Sequence, residues 1–415
     1  LDICFVTIGI PSALASINTL VARLVQSGGE FHVISGRKRA SGMLSRHCQF
    51  AQFNQQTVTR YSDPPDAKSI NEPDLPALID LLEKIQPDLV LIDSEMHIEQ
   101  LYAEAAGFRV GALEYHVSPD RVRAIPPLSS SFIPDDSQRD RWRCYRIWRQ
   151  LDRHRRTRPE LQAYFQSLDS ICGKLSRDYR ALADYGHWQP VRFRHIPIVR
   201  LAPLALDFTH RGKLSPRFYS NGVEYEAVSS ITEAAELQDW ISDRQRRLVI
   251  CTAGSLIHDT RFVDSFIELS KRRDDLDFLI GGVATDSAPV AAANIRVVPF
   301  VPQRFALRFA DFMLSGAGIA TITESVEHGV PLLVVSHGVL DQNGNAARVV
   351  HHGVGRRIAN REITADRLAQ ELILLDDALR ARVHSVAERL RVESDGNNLI
   401  AHLRRIIAGD VISTG

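Results

Sequence analysis

Short apolar runs that each end in a polar loop and lead into a helical pattern recur along this chain, and the rhythm starts twice. Ile3 to Ile10 is an apolar run, Ile17, Leu20, Val21, Leu24 and Val25 then recur at helical spacing, and Phe31 to Ile34 forms a second run. The pattern returns at LPALIDLLEKIQPDLVLIDSE, where Pro87 separates a helix from the run Leu89 to Ile92. From Leu248 it begins afresh: LVICT, a helix around Phe262 to Arg272, DFLIGG, IRVVPF, DFMLS, a helix through Glu324, PLLVV and a helix through Val350. Strands alternating with helices require parallel sheets covered on both faces, so the fold class is α/β with two doubly wound domains. In such sheets, functional groups gather beyond the carboxyl ends of the strands, where Asp93 sits.

A length of 415 residues leaves room for two cores. Hydrophobic residues at 44% and charged residues at 24% exclude collagen, coiled coil and wholesale disorder. Lys plus Arg and Asp plus Glu both number 50, so the molecule as a whole has no electrostatic pull toward nucleic acid or membrane, and no nucleic-acid partner is expected. The five cysteines are scattered and never form CxxC, which reads as free thiols in a reducing compartment. No apolar run reaches the roughly 18 residues of a membrane span, and the chain opens into a strand without a basic leader, so a cytoplasmic location is expected.

The densest chemical signal is SGAGIATITESVEHGVPLLVVSHGVLDQNGNAARVVHHGVG, Ser315 to Gly355. It sets a Gly-rich turn at the end of a strand, leading into a helix whose first amides are free to bind an anion. Gly316 and Gly318 let backbone approach a pyrophosphate, Thr321 offers a hydroxyl, and Glu324 can accept hydrogen bonds from a ribose diol. Asp341 and Gln342, a carboxylate beside an amide, suit a polyhydroxylated sugar.

This stretch resembles the donor signature of inverting family-one GT-B glycosyltransferases, which runs roughly HGGxxSxxE, GVP, DQxxNA. The match runs without a gap from Glu324 through Gly329, Val330 and Pro331 to Asp341, Gln342 and Asn345. Phe300, Val301, Pro302 and Gln303 resemble the family's WxPQ element, which seats the base, and Gly254 and Ser255 its phosphate-contacting turn. PPLSSSF at 126–132, LDFTHRGKLSPRFYSNG at 206–222 and PDLVLIDS at 87–94 resemble zeaxanthin glucosyltransferases and bacterial macrolide glycosyltransferases. The resemblance implies a GT-B fold, two Rossmann-like domains facing across a cleft. Residues 1–222 would bind acceptor, 223–245 link, 246–392 bind nucleotide sugar, and 393–415 form a helix crossing back.

Two departures stand out. The family's general-base His after the first strand is absent: the loop reads GIPSALASIN, with Ala13 near that place, although Asp93 matches the Asp that orients it. The signature's leading His and Gly are replaced by Gly316 and Ala317. Asp93 is the first candidate for a substitute base, since a buried carboxylate can take a proton from an alcohol, with His97 and His116 next.

The function implied is inverting transfer of a hexose from a nucleotide sugar to a hydroxyl of a lipophilic small molecule. UDP-glucose is the first donor guess and a dTDP-sugar the second. A non-catalytic glycosyltransferase-like scaffold or activator and a nucleotide-sugar epimerase are the rivals. No permanently bound cofactor is expected. No metal is expected either, because Asp275 and Asp277 form a DxD but read as loop carboxylates. The segment 139–158 carries nine arginines interleaved with aromatics, which suits either peripheral contact with the inner membrane face or a solvated helix paired with acidic neighbours.

Overall fold

The computed structural model describes residues 1–9, 11–36, 44–53, 75–117, 120–135, 137–176, 178–184, 186–208, 217–219, 231–252, 260–281, 293–298, 301–374, 377–396 and 398–410. The first sheet comprises β1 (Ile3–Val6), β2 (Phe31–Ser35), β3 (Cys48–Gln52), β4 (Leu89–Asp93), β5 (Val110–Glu114) and β6 (Ile198–Arg200), in the order β3-β2-β1-β4-β5-β6. The second comprises β7 (Arg247–Thr252), β8 (Leu276–Gly281), β9 (Ile295–Val298), β10 (Ala310–Ser315), β11 (Leu332–Ser336) and β12 (Gly355–Ala359), in the order β12-β11-β10-β7-β8-β9. Every pairing is parallel. The chain is thus α/β with two Rossmann-type sheets.

Alternate residues of the central strands feed different cores, as a sheet covered on both faces requires. Cys4, Val6, Val90 and Ile92 pack on one face of the first sheet, and Ile3, Phe5, Leu89 and Leu91 on the other. The order reverses between β1 and β4 in the first sheet and between β7 and β10 in the second, so each unit opens a crevice at those strand ends. Asp93 ends β4 and Ser315 ends β10, which brings the two regions singled out in the sequence to the two switch points.

The chain passes between the units at adjacent residues: Phe218 is buried in the first unit's core and Tyr219 in the second's. Residues 223–245, expected to link the domains, carry the helix Ile231–Asp243, and its Leu237 and Ile241 are buried in the second unit. At the other end, Val383, Val386 and Leu390 of the helix Asp377–Gly396 belong to the second unit. Leu399, Leu403 and Ile406 of the helix Leu399–Ala408 lie in the first unit's core beside Ile3 and Phe5. His402 of that helix stacks on Phe218, with centroids 4.2 Å apart.

The units also meet through the segment PPLSSSF. Gly344 N–H donates to Leu128 O (2.7 Å), Asn343 Nδ2 to Ser129 O (3.0 Å) and Arg357 Nη1 to Ser131 O (2.8 Å). A Cβ on Gly344 would fall 2.4 Å from Leu128 O, so only glycine permits this approach. Arg348 reaches across with Nε and Nη2 at 3.0 and 2.9 Å from Asp207 Oδ1, both residues buried.

Candidate functional site

On the C-terminal side, β10 delivers the chain to a turn at Gly316, Ala317 and Gly318, and Gly318 is the N-cap of the helix Ile319–Glu327. Gly318 has no side chain to cap the helix, which leaves the first-turn amides available to an anion. Thr321 sits half-buried in that turn. Ala317 is fully buried and adopts φ = 65°, left-handed backbone where the family signature has glycine. Its carbonyl accepts from Asn345 Nδ2 (3.0 Å), and its N–H donates to Ser315 Oγ (3.2 Å), which hold the turn despite the strain. Ala317→Gly is therefore expected to leave stability unchanged or raise it by up to about 1 kcal/mol, read from urea melts. A loss above about 1 kcal/mol would contradict the strain assignment.

Glu324, one turn further on, accepts a hydrogen bond from Gln303 Nε2 (2.5 Å), and Arg304 Nη1 lies 3.8 Å from its other oxygen. Burial pushes the Glu324 carboxyl above its ordinary range against the pull of Arg304 and Gln303. Two residues picked 21 positions apart in the sequence thus touch. Val301 is buried in the core beside Gly281. Phe300 and Ser255 lie outside the described residues. Asp341 precedes the helix Gln342–His351, and its Oδ2 accepts from Asn345 Nδ2 (2.9 Å). Gln342 is buried, and its side-chain oxygen accepts from His337 N–H (3.0 Å), closing the loop before the helix.

On the N-terminal side, the three candidate bases separate. Asp93 is buried, and its carboxylate is already engaged: Oδ2 accepts from Thr7 Oγ1 and Ile8 N–H, both at 2.8 Å, and Oδ1 from the Tyr115 hydroxyl at 2.6 Å. Three donors hold both carboxylate oxygens in place at the end of β4. The carboxylate thereby ties together the chain ends that follow β1, β4 and β5. His97 is buried in the core, with Nδ1 2.6 Å from Tyr164 Oη and an edge contact to Phe193, and burial followed by His187 lowers it to about 4. Ala13 lies buried in the helix Pro11–Leu24 and contributes no polar group.

His116 differs. It follows β5, keeps 8% of its surface exposed, and packs against Trp188 with centroids 5.0 Å apart. Nδ1 is 2.5 Å from Glu114 Oε1, which leaves Nε2 as the outward nitrogen, 3.8 Å from Glu95 Oε1. Across the domains, the charge of Asp341 acts on it. Behind Glu114 lies His187, with Nε2 3.5 Å from Oε2. Gln189 N–H donates to His187 Nδ1 (3.0 Å), so the proton of a neutral His187 sits on Nε2 and points at Glu114. Burial raises the Glu114 carboxyl, but His116 and then His187 outweigh it and hold the group well below its ordinary range. Glu95, Glu114, His187 and Trp188 were not singled out in the sequence. The only signal was polar residues at the ends of two strand-like runs, which many surface loops share.

Asp275 and Asp277 are matched by Arg273 (2.6 Å) and Arg246 (3.3 Å). All five cysteines are free thiols.

Residues 283–404 match the family model described as "Erythromycin biosynthesis protein CIII-like, C-terminal domain". The chain is 29% identical over 168 residues to 4'-demethylrebeccamycin synthase of Lentzea aerocolonigenes, covering 40% of this chain and 39% of that protein. It is 38% identical over 99 residues to oleandomycin glycosyltransferase of Streptomyces antibioticus, covering 24% and 21%. The matches thus span about two fifths or less of these relatives. The fold likeness extends further: glycosyltransferase VinC in complex with dTDP superposes with a TM-score of 0.63 at 17% identity, covering 98% of this chain and all of that one. The fold is GT-B. Beyond the fold, the donor signature and these partial matches make the chain similar to family-one GT-B glycosyltransferases over part of its length.

Proposed function

We propose that the protein transfers a sugar from a nucleoside diphosphate sugar to a hydroxyl of a lipophilic small molecule, with inversion and without a metal. The observation that carries this reading is the Gln303–Glu324 pair beside the uncapped helix Ile319–Glu327 at the second sheet's switch point. There, Glu324 would take the ribose diol, the first-turn amides the diphosphate, and Asp341 the sugar hydroxyls. UDP-glucose remains the first donor, and dTDP-sugars stand close behind, since the structural neighbour VinC was crystallised with dTDP.

His116 is the base in this proposal. Glu114 fixes its Nδ1, as the family's Asp would fix the absent His, and Nε2 takes the acceptor proton as the oxygen bonds to the anomeric carbon. The bond from that carbon to the diphosphate breaks in the same step, and the helix amides stabilise the departing charge. A carboxylate–imidazole pair is thereby rebuilt at the end of β5.

Glu324→Ala is expected to weaken UDP or dTDP binding by about 1–3 kcal/mol, as a lost charge-assisted hydrogen bond would, and unchanged affinity would remove Glu324 from the ribose site. The whole reading is tested by incubating the protein with radiolabelled UDP-glucose or dTDP-glucose and a panel of carotenoid, macrolide and flavonoid-like alcohols. Alcohol-dependent label transfer is the expected result. Acceptor-free conversion of UDP-N-acetylglucosamine would point to an epimerase instead, and nucleotide binding without any turnover to a non-catalytic relative.

A further inference from the structure

The helix Gln138–Thr157 has two faces of opposite character. Its N-terminus is capped by Ser137 Oγ, which accepts from Asp140 N–H (3.1 Å). Inward, Cys144 and Trp148 are buried, and Trp148 Nε1 donates to Ile125 O (2.8 Å). Trp148 packs with Val117, Leu128 and Trp188, and Ile319 and Leu340 of the other unit close the cluster. Val117 adjoins His116 and Trp188 packs on its ring, so this face backs the candidate site.

Outward, Arg139, Trp142, Arg146, Arg149, Arg153 and Arg156 are all exposed and follow one another at alternating steps of three and four, a single stripe along the helix. Trp142 is 58% and Tyr145 beside it 51% exposed. The helix holds eight arginines and two aspartates in a chain whose charges balance only as a whole. Those two aspartates are paired with Arg143 and Arg121. Among the described residues, no carboxylate forms an ion pair with any of the five stripe arginines. Among the described residues, then, acidic neighbours pair with Arg121 and Arg143 but not with the stripe.

We propose that this face docks the protein on an anionic lipid bilayer, from which a hydroxylated lipophilic acceptor reaches the site that the helix's other face backs. Delivery of an acceptor rests on the glycosyl-transfer reading, whereas the docking itself does not. A straight stripe presents cations to a plane, and exposed aromatics at its edge suit the headgroup boundary. Single-stranded nucleic acid would need free ring faces to stack on. Instead, Arg146 lies over Trp142 at 4.8 Å and Arg149 over Tyr145 at 6.0 Å.

The test is co-sedimentation with vesicles of phosphatidylcholine alone and of phosphatidylcholine with phosphatidylglycerol, at low and high salt. Binding is expected only with phosphatidylglycerol and should weaken with salt. The triple substitution Arg146→Gln, Arg149→Gln, Arg153→Gln should reduce it by roughly fivefold per arginine, about a hundredfold in all, with UDP and dTDP affinity unchanged. Equal binding to both vesicle types, no binding, or a triple variant that binds as well as the parent would overturn the proposal. So would tighter capture of single-stranded DNA than of the anionic vesicles at equal salt. A parent protein that binds these vesicles but no nucleotide would uphold docking and end the glycosyl-transfer reading.

Discussion

His116→Ala is expected to lose about 10²- to 10⁴-fold in turnover while nucleotide affinity stays unchanged, since a positioned base acts on the acceptor proton and not on the donor. The pH dependence gives an independent mark. Burial alone would lower the imidazole, but Glu114, then Asp341 and Glu95, reverse that and push it up to about 10. At neutral pH, His116 therefore holds a proton that must leave before it can accept another, and turnover should climb as pH rises from 7 toward that value. Stability should run the other way: a raised value stabilises the fold fully below the ordinary 6.5 and loses that contribution as pH rises through about 10. Glu114→Gln should shift the activity profile to lower pH and cut the maximal rate. A flat profile in the parent, or an active His116→Ala variant, would remove the dyad from the mechanism.

Arg348→Met is expected to destabilise the protein by about 3–5 kcal/mol, because it strands a buried carboxylate. Arg348 and Asp207 are 2% and 3% exposed, and Arg348 places two donors on Asp207 Oδ1 and its guanidinium 4.4 Å over Phe208. Arg217 Nη2 remains 3.5 Å from Asp207 Oδ2, which puts the cost toward the lower end. The double variant Arg348→Met, Asp207→Leu should recover little of the loss in denaturant melts, because it removes the stranded carboxylate but takes the partner from the buried Arg217. A single variant within about 1 kcal/mol of the parent would show that the pair does not hold the two units together.

The parallel sheets were legible because their central strands are buried on both faces and read as unbroken apolar runs, as at Leu89–Ile92 and Leu332–Val335. The edge strand β3 was not, since CQFAQ is only half-buried and its pattern is weak. The helix Ile231–Asp243 was hidden within the expected linker because it directly follows a segment around Pro216 and Gly222 with the composition of an exposed connection. At the site, the Gln303–Glu324 contact was foreshadowed by a motif whose spacing is set by local chain geometry between β10 and its helix. The Glu114–His116–His187 cluster was not, because β5 and the loop carrying His187 meet only in the folded chain. Asp93 was correctly placed at the sheet edge, but the donors that occupy it, Thr7, Ile8 and Tyr115, come from two other strand ends.

The measurement that bears most directly on the central claim is calorimetric titration of the protein with UDP and dTDP, in the presence and absence of magnesium. The account predicts micromolar binding of at least one of them, on the order of −8 kcal/mol, with no dependence on the metal and lost on Glu324→Ala. Absence of binding to either nucleotide, or binding that the Glu324 substitution leaves untouched, would contradict it.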